Sequence, residues 1–198
     1  SNRLTGVTVN GDLTLSADSA QVKIAGGATF ANAHLSGNSS SIAFAPGQTL
    51  TGNILFEGAN GGERIVEMNG TAGTLTIGLT GSIKTVAGFT GTGYVGSGSQ
   101  FGGAMTLVNQ GLISAAASGK TLNVRPTALT NTGTLQATSG ATLNVTTLSG
   151  NANTVQLTGS GSTLTLDGTN YVLSAGLTVA ADQTATVNGT WSSPGAMS

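Results

Sequence analysis

Short runs of alternating apolar and polar residues fill most of the chain, and glycine or Asx residues separate them. Residues 121–124 and 142–145 both read TLNV, and residues 163–166 read TLTL. Because successive side chains of a strand point to opposite sides, a period of two places the apolar residues of each run on one face. The pattern predicts many short, half-buried strands and almost no α-helix.

Similar phrases return after 20 or 21 residues. A Gly-x-Thr-apolar element occurs as SGKTL at 118–122, SGATL at 139–143 and SGSTL at 160–164. With it we align three earlier elements, GGATF (26–30), PGQTL (46–50) and AGTL (72–75). A unit of this length is too small to bury its own apolar face, whereas stacked copies bury it against one another.

The repeat therefore predicts an all-β fold, a single right-handed parallel β-helix over residues 1–198. We expect about nine coils of roughly 20–25 residues, with each strand pairing to its equivalent ~4.8 Å above. Right-handed winding follows from the crossover preference of parallel strands. One interior column and one exterior file are expected: Leu122, Leu143 and Leu164 inside, and Thr121, Thr142 and Thr163 outside.

Asx residues recur at one place in the unit, four residues before an apolar pair such as Leu135 and Ala137. The positions are Asp18, Asn38, Asn109, Asn131 and Asn151. Stacked asparagines bond their amides between coils or to local backbone, so we expect Asn109, Asn131 and Asn151 to line one corner. Gly111, Gly133 and Asn153 follow two residues later, and all three are residue types that tolerate positive φ.

The segment 86–103, VAGFTGTGYVGSGSQFGG, interrupts the repeat and predicts a Gly-rich loop or an irregular coil. It contains the aromatic residues Phe89, Tyr94 and Phe101. Two interpretations are open: the rings cover the loop against the rod, or they are exposed and stack on sugar faces. Since the first residues already alternate as a strand does, we expect the chain to be an internal fragment of a larger protein.

Composition narrows the classes of function. The chain has 32 Gly, 7% charged and 4% aromatic residues, no Cys and a formal net charge of −1. Its Lys and Arg residues are scattered, which argues against nucleic acid or an anionic membrane surface as a partner. No apolar run approaches the ~18 residues of a membrane-spanning helix, so no direct membrane insertion is expected. Without Cys, disulfides and thiolate metal sites are excluded.

Groups suited to catalysis are sparse. Glu57, Glu63 and Glu67, with Arg64, form the densest charge cluster. It is interpreted as solvated surface, with glycan or cation contact and catalysis as alternatives. His34 is predicted at a turn or on the surface, since the sequence has neither a second His nor a Cys to share a metal with it. Polysaccharide-cleaving β-helix enzymes need convergent carboxylates, so we expect no catalysis and no cofactor.

The most regular polar feature is a double file of Thr and Asn on the outward side of the Leu column. We call it the Thr/Asn array, and its members are Thr121, Asn123, Thr142, Asn144, Thr163 and Thr165. Under our alignment the first file continues through Thr29, Thr49, Thr74 and Thr184. Threonine favours exposed strand positions, and such ladders stabilise a stack. The alternative is a ligand-binding face, because ice and crystalline polysaccharides are matched by regular arrays. The array and the three aromatic residues above are the candidate ligand contacts.

The phrases VNQGLISA (108–115) and LTNTGTLQA (129–137), with the TLNV strands, resemble the β-helical passenger repeats of filamentous-haemagglutinin-like exoproteins and autotransporter adhesins. The resemblance implies a large bacterial protein, secreted or held at the cell surface, that acts in adhesion or as a stalk. Its implied partners are host or environmental glycans or other surface proteins. The expected function is a structural or adhesive segment that presents a ligand-contacting surface. The alternatives are a carbohydrate- or ice-binding module that uses the Thr/Asn array, and then a polysaccharide-active β-helix enzyme.

Overall fold

The computed structural model describes residues 2–96, 98 and 100–198. Its strands are β1 (Asn2–Thr5), β2 (Leu13–Leu15), β3 (Gln21–Ala25), β4 (Asn32–Leu35), β5 (Ser40–Phe44), β6 (Gln48–Leu50), β7 (Asn53–Phe56), β8 (Glu63–Met68), β9 (Gly73–Ile77), β10 (Ser82–Thr85), β11 (Thr92–Val95), β12 (Met105–Asn109), β13 (Leu112–Ala115), β14 (Thr121–Val124), β15 (Ala128–Asn131), β16 (Thr134–Ala137), β17 (Thr142–Asn151), β18 (Thr154–Leu157), β19 (Thr163–Val172) and β20 (Thr184–Ser192). Within these ranges no helix is long and apolar enough to cross a membrane.

The chain winds through three sheet faces in turn, and the paired strands are parallel. The first face consists of β1, β3, β5, β8, β11, β14 and the starts of β17, β19 and β20. The second consists of β6, β9, β12, β15 and the ends of those last three strands. The third consists of β2, β4, β7, β10, β13, β16 and β18. The fold is a parallel β-solenoid, as predicted, while its right-handed winding and its number of coils stay predictions.

The interior columns have the predicted register. Leu122 pairs with Leu143 and Leu143 with Leu164, and all three are fully buried. The threonine before each leucine pairs in the same way on the outside and is half-buried. Burying a leucine side chain stabilises the fold by roughly 1.5–3 kcal/mol, so a continuous column of leucines holds successive coils together.

The alignment of the earlier Gly-x-Thr elements is wrong. The elements at 26–30 and 46–50 precede or enter strands of the second and third faces, whereas the element at 118–122 enters the first face. The first and second faces both follow glycine turns and alternate in the same way, so the residue letters alone do not distinguish them. Three threonines that we aligned with the first file of the Thr/Asn array therefore lie outside it: Thr29, Thr49 and Thr74.

The predicted asparagine ladder forms in part. Asn109 pairs with Asn131, both are fully buried, and Asn109 Nδ2 donates to Asn131 Oδ1 at 2.6 Å. Asn131 Nδ2 in turn donates to the backbone carbonyl of Ala152. The prediction for Asn151 is wrong, because Leu129 pairs with Leu148 and Thr130 with Ser149, so Asn151 lies one residue beyond the position opposite Asn131, and it is exposed. The ladder therefore ends at Asn131.

The glycines at this corner have a different role from the predicted one. Of the three residues expected to tolerate positive φ, Asn153 adopts it, at 47°, whereas Gly111 and Gly133 do not. A Cβ on Gly111 would overlap the carbonyl oxygen of Gly81, and a Cβ on Gly133 would overlap that of Gly111. Glycine is needed here because the backbones of successive coils approach closely.

The segment 86–103 is partly regular. It contains β11, which pairs with β8 on one side and β14 on the other. The departure from the repeat is confined to the connection between β11 and β12, where Ser97 and Ser99 lie outside the described residues. Residues 100–103, which we call the strap, lie against the first face, where Gln100 bonds to Gln21 of β3 and two backbone amides bond to Glu67 of β8. Glu67, which alternation places on the outward side of β8, is consequently buried.

Candidate ligand-binding surfaces

The Thr/Asn array has the predicted register on the first face, but Asn123 is buried, at 4% exposed, and is not open to a ligand. Thr121, Thr142 and Thr163 pair in consecutive register. Asn123 pairs with Asn144, whose Nδ2 donates to the Asn123 Oδ1 at 3.2 Å, and the file continues in Thr165. β20 adds two exposed members in the same register, Thr184 and Thr186. The strands are ~4.8 Å apart, so the surface repeats a hydroxyl or amide at that interval.

Tyr94 borders the array. It is half-buried on the outward side of β11 and pairs with Asn123. The Arg125 guanidinium lies 5.8 Å from the centre of its ring, and Arg125 Nη2 donates to Asn123 Oδ1 at 3.0 Å. Tyr94 is therefore available at the surface, but a cation already lies over its ring.

The other two aromatic candidates lie elsewhere. Phe89 is only 2% exposed and packs on Phe56, with ring centres 6.4 Å apart, so its predicted ligand contact is wrong. Phe101 is half-buried in the strap, and Lys23 Nζ lies 4.4 Å from its ring centre. The three aromatic residues of segment 86–103 thus occupy the interior, the first face and the strap, and they do not form one site.

The carboxylates of the charge cluster do not converge. Glu67 is fully buried, and its Oε2 accepts backbone N–H bonds from Phe101 and Gly102, each at 3.0 Å. Its predicted solvation is wrong because the strap covers it. The Oε1 of Glu67 and the Oγ of Ser41 are buried and have no hydrogen-bond partner among the described residues. A buried carboxylate held by backbone amides has no room to attack a polysaccharide.

Arg64 points into the rod instead of neutralising a neighbouring glutamate. It is fully buried, and its guanidinium donates to backbone carbonyls that include Leu35, at 3.1 Å, and Ser36, at 2.8 Å. It also donates to the Oδ1 of Asn60 at 2.5 Å. Burial lowers the pKa of Arg64, and the charge of Asp18 opposes this change. The side chain therefore fastens the turn between the third and first faces.

His34 takes part in a contact that sequence reasoning missed. Its Nδ1 lies 3.0 Å from Glu57 Oε1, and its Nε2 lies 3.3 Å from Asp12 Oδ2. The hydrogen bond from Asn32 is the main cause that lowers the pKa of Asp12. Burial opposes it, and the hydrogen bond and charge of His34 lower the pKa further. A signal existed in the sequence, because the three residues are 22 and 23 positions apart, close to one coil. Among the described residues no group of three or more His, Asp or Glu could hold a metal ion.

An open groove of about 540 Å³ follows the third face near its corner with the second. Its side walls carry Lys84, Gln136 and Gln156, of which the two glutamines pair in register. The turn before β10 raises one end, where Leu79 is 85% exposed. This surface was not predicted, because it depends on the turn at Leu79, whose extra residues are not part of the repeat.

Comparison of the chain with protein-family models, curated proteins and solved structures found no match. The resemblance to filamentous-haemagglutinin-like exoproteins stays a prediction.

Proposed function

We propose that the chain is a structural segment of a secreted or cell-surface bacterial exoprotein, and that its Thr/Asn array makes contact with a ligand. The observation that carries the proposal is the consecutive register of the array along β14, β17 and β19. Rows of fully buried leucine and valine beneath it keep these strands in one plane. A solenoid of this kind fixes the distance between what lies at its two ends and displays a regular face between them.

Glycan binding and adhesion test this proposal. The chain, displayed on beads, should adhere to a glycan array or to cells, and Thr142→Lys should abolish adhesion because a long charged side chain interrupts the plane. Thr130→Lys is the matched control, since Thr130 is an exposed strand threonine on the second face. Adhesion that survives Thr142→Lys, with both variants folded, contradicts a role for the array.

A lattice ligand is the second candidate function. The register from Thr142 to Thr163 and on to Thr184 gives one hydroxyl per strand in a straight file, and ice or a crystalline polysaccharide presents its own groups at regular intervals. Thermal hysteresis and sedimentation with crystalline cellulose or chitin measure this activity. A signal that Thr142→Lys removes and Thr130→Lys keeps would assign it to the array.

Catalysis is not part of the proposal. Glu67 is enclosed by the strap and Glu57 contacts His34, so these acids do not form the open carboxylate pair that glycoside cleavage requires. Incubation with neutral and acidic polysaccharides should release no reducing ends. Cleavage that disappears in Glu63→Gln or Glu67→Gln would promote the enzyme alternative.

A further inference from the structure

The groove on the third face differs in chemistry from the Thr/Asn array. Amides and one ammonium group line it: Gln110, Gln136 and Gln156 with Lys84. None of the described residues that line it is aromatic or acidic. The groove extends from β7 to β18, four strand spacings or ~19 Å along the rod axis.

The glycine corner keeps this groove open. Gly81, Gly111 and Gly133 line it in successive coils, and each would overlap a backbone carbonyl if it carried a Cβ. The side facing the corner therefore has no side chains from these positions. The turn with Leu79 rises beside it and offers an apolar contact at one end.

Several classes of ligand fit this surface poorly. A peptide that adds a strand needs a free sheet edge, but β10 and β16 are each paired on both sides. A folded protein partner needs a central apolar anchor, and Leu79 is the one strongly exposed apolar side chain here. Nucleic acid needs several cations along its phosphates, whereas the groove has Lys84 alone.

We propose that this groove binds a linear, hydroxyl-rich glycan that lies along the rod axis. The amides of Gln136 and Gln156 each carry a donor and an acceptor, which suits pairs of sugar hydroxyls in neighbouring units. Lys84 adds a preference for a glycan that bears carboxylates. The groove lies on a different face from the Thr/Asn array, so this site is independent of the function proposed above.

Native electrophoresis in gels that contain polygalacturonate or hydroxyethyl cellulose tests the site. Both polymers should retard the chain, polygalacturonate more strongly, and Lys84→Gln should reduce its effect to that of the neutral polymer. The double variant Gln136→Ala/Gln156→Ala should weaken binding by about tenfold, since the hydrogen bonds of two amides to the glycan are lost. These side chains point outward, and an unchanged melting temperature will show that the variant is folded.

The matched control is Thr106→Ala/Thr130→Ala, which removes two exposed hydroxyls from the second face and should bind both polymers as the parent chain does. A third variant, Asn144→Ala/Thr165→Ala, removes an amide and a hydroxyl from the Thr/Asn array and distinguishes the two proposed surfaces. No retardation by either polymer would overturn the groove proposal. Retardation that is lost in Asn144→Ala/Thr165→Ala but kept in Gln136→Ala/Gln156→Ala would also overturn the groove proposal. That outcome would support the array as the ligand surface.

Discussion

The Nδ1 of His34 lies 3.0 Å from the Oε1 of Glu57, although 23 residues separate them in sequence. The other ring nitrogen faces Asp12 at 3.3 Å, so one imidazole connects three successive turns of the third face. The doubly protonated ring donates to both carboxylates at once, whereas the neutral ring donates to one. This contact fastens the first coils on their surface, where the apolar residues Leu4 and Leu13 are incompletely buried.

Asp12 should make the stability of the first coils depend on acid pH. Its pKa in the folded chain lies below the ordinary value of 3.8, so in acid the unfolded chain binds more protons than the folded one. The stabilisation is present above the ordinary pKa and is lost as the pH falls through the lowered pKa. Melting temperatures between pH 6 and pH 2 should therefore decline less steeply in Asp12→Asn. Asp182→Asn, at an exposed turn, is the control, and identical slopes in Asp12→Asn and the parent chain would contradict the prediction.

Tyr171 should make the stability of the fold decrease as the pH rises in the alkaline range. Burial, and then the charge of Asp167, raise its pKa from 10.0 to about 12. The unfolded chain then loses its phenolic proton at a lower pH than the folded chain, so stability is full below pH 10 and falls as the pH rises towards 12. Urea unfolding across this interval measures the effect. Tyr171→Phe should flatten that part of the profile, whereas Tyr94→Phe at the surface should leave it in place.

Leu143 should be among the residues that the stack tolerates least. It is fully buried between Leu122 and Leu164, and Leu143→Ala should lower the free energy of unfolding by about 2–5 kcal/mol. Leu143→Asp should prevent folding, because a charge in so narrow a core has no partner. The neighbouring Thr142→Ala, at an outward position, should cost less than about 1 kcal/mol. Equal costs for Leu143→Ala and Thr142→Ala, from urea denaturation, would show that the column is not the core.

The asparagine ladder should contribute more to the free energy of unfolding than the exposed Asn151 does. Asn131→Ala removes the acceptor of Asn109 Nδ2 and the donor to Ala152, and leaving such buried groups unpaired costs about 1–3 kcal/mol. Asn151→Ala, outside the ladder, removes an acceptor of two exposed hydrogen bonds and should lower the free energy of unfolding by less, about 1 kcal/mol or under. Chemical denaturation of both variants gives the comparison, and a larger loss at Asn151 would assign the ladder to the wrong residues.

A lysine at position 64 should not replace Arg64 in holding the turn between the third and first faces. Its planar guanidinium reaches several carbonyls at once, which a lysine ammonium does not match. Arg64→Lys should therefore speed amide hydrogen exchange in residues 57–63 while the strands of β14 to β17 stay protected. Exchange that is unchanged in that turn would mean that the guanidinium does not hold it.

Period-two patterning was enough to predict the fold and the column of Leu122, Leu143 and Leu164, since a narrow core leaves each strand one inward direction. It was not enough to assign Thr49 to a face, because strands of the first and second faces alternate in the same way and the sequence does not distinguish them. The burial of Phe89 and Glu67 depends on how a connection of irregular length folds back, which the repeat does not encode. The contact between His34 and Glu57 depends on the lengths of the intervening turns. The groove was also missed, because the turn at Leu79, which borders one end of it, is an insertion in the repeat.

Since the strands run across the rod, the hydrogen bonds between coils lie along it. Tension applied at the two ends therefore breaks these bonds sequentially, one coil at a time, and does not load all of them together in shear. The released length varies along the chain, because successive equivalents are 29 residues apart at Asn53 and Ser82 but 21 apart at Asn123 and Asn144. A pulled molecule should thus lengthen in small steps of unequal size, each of which takes up part of the applied load.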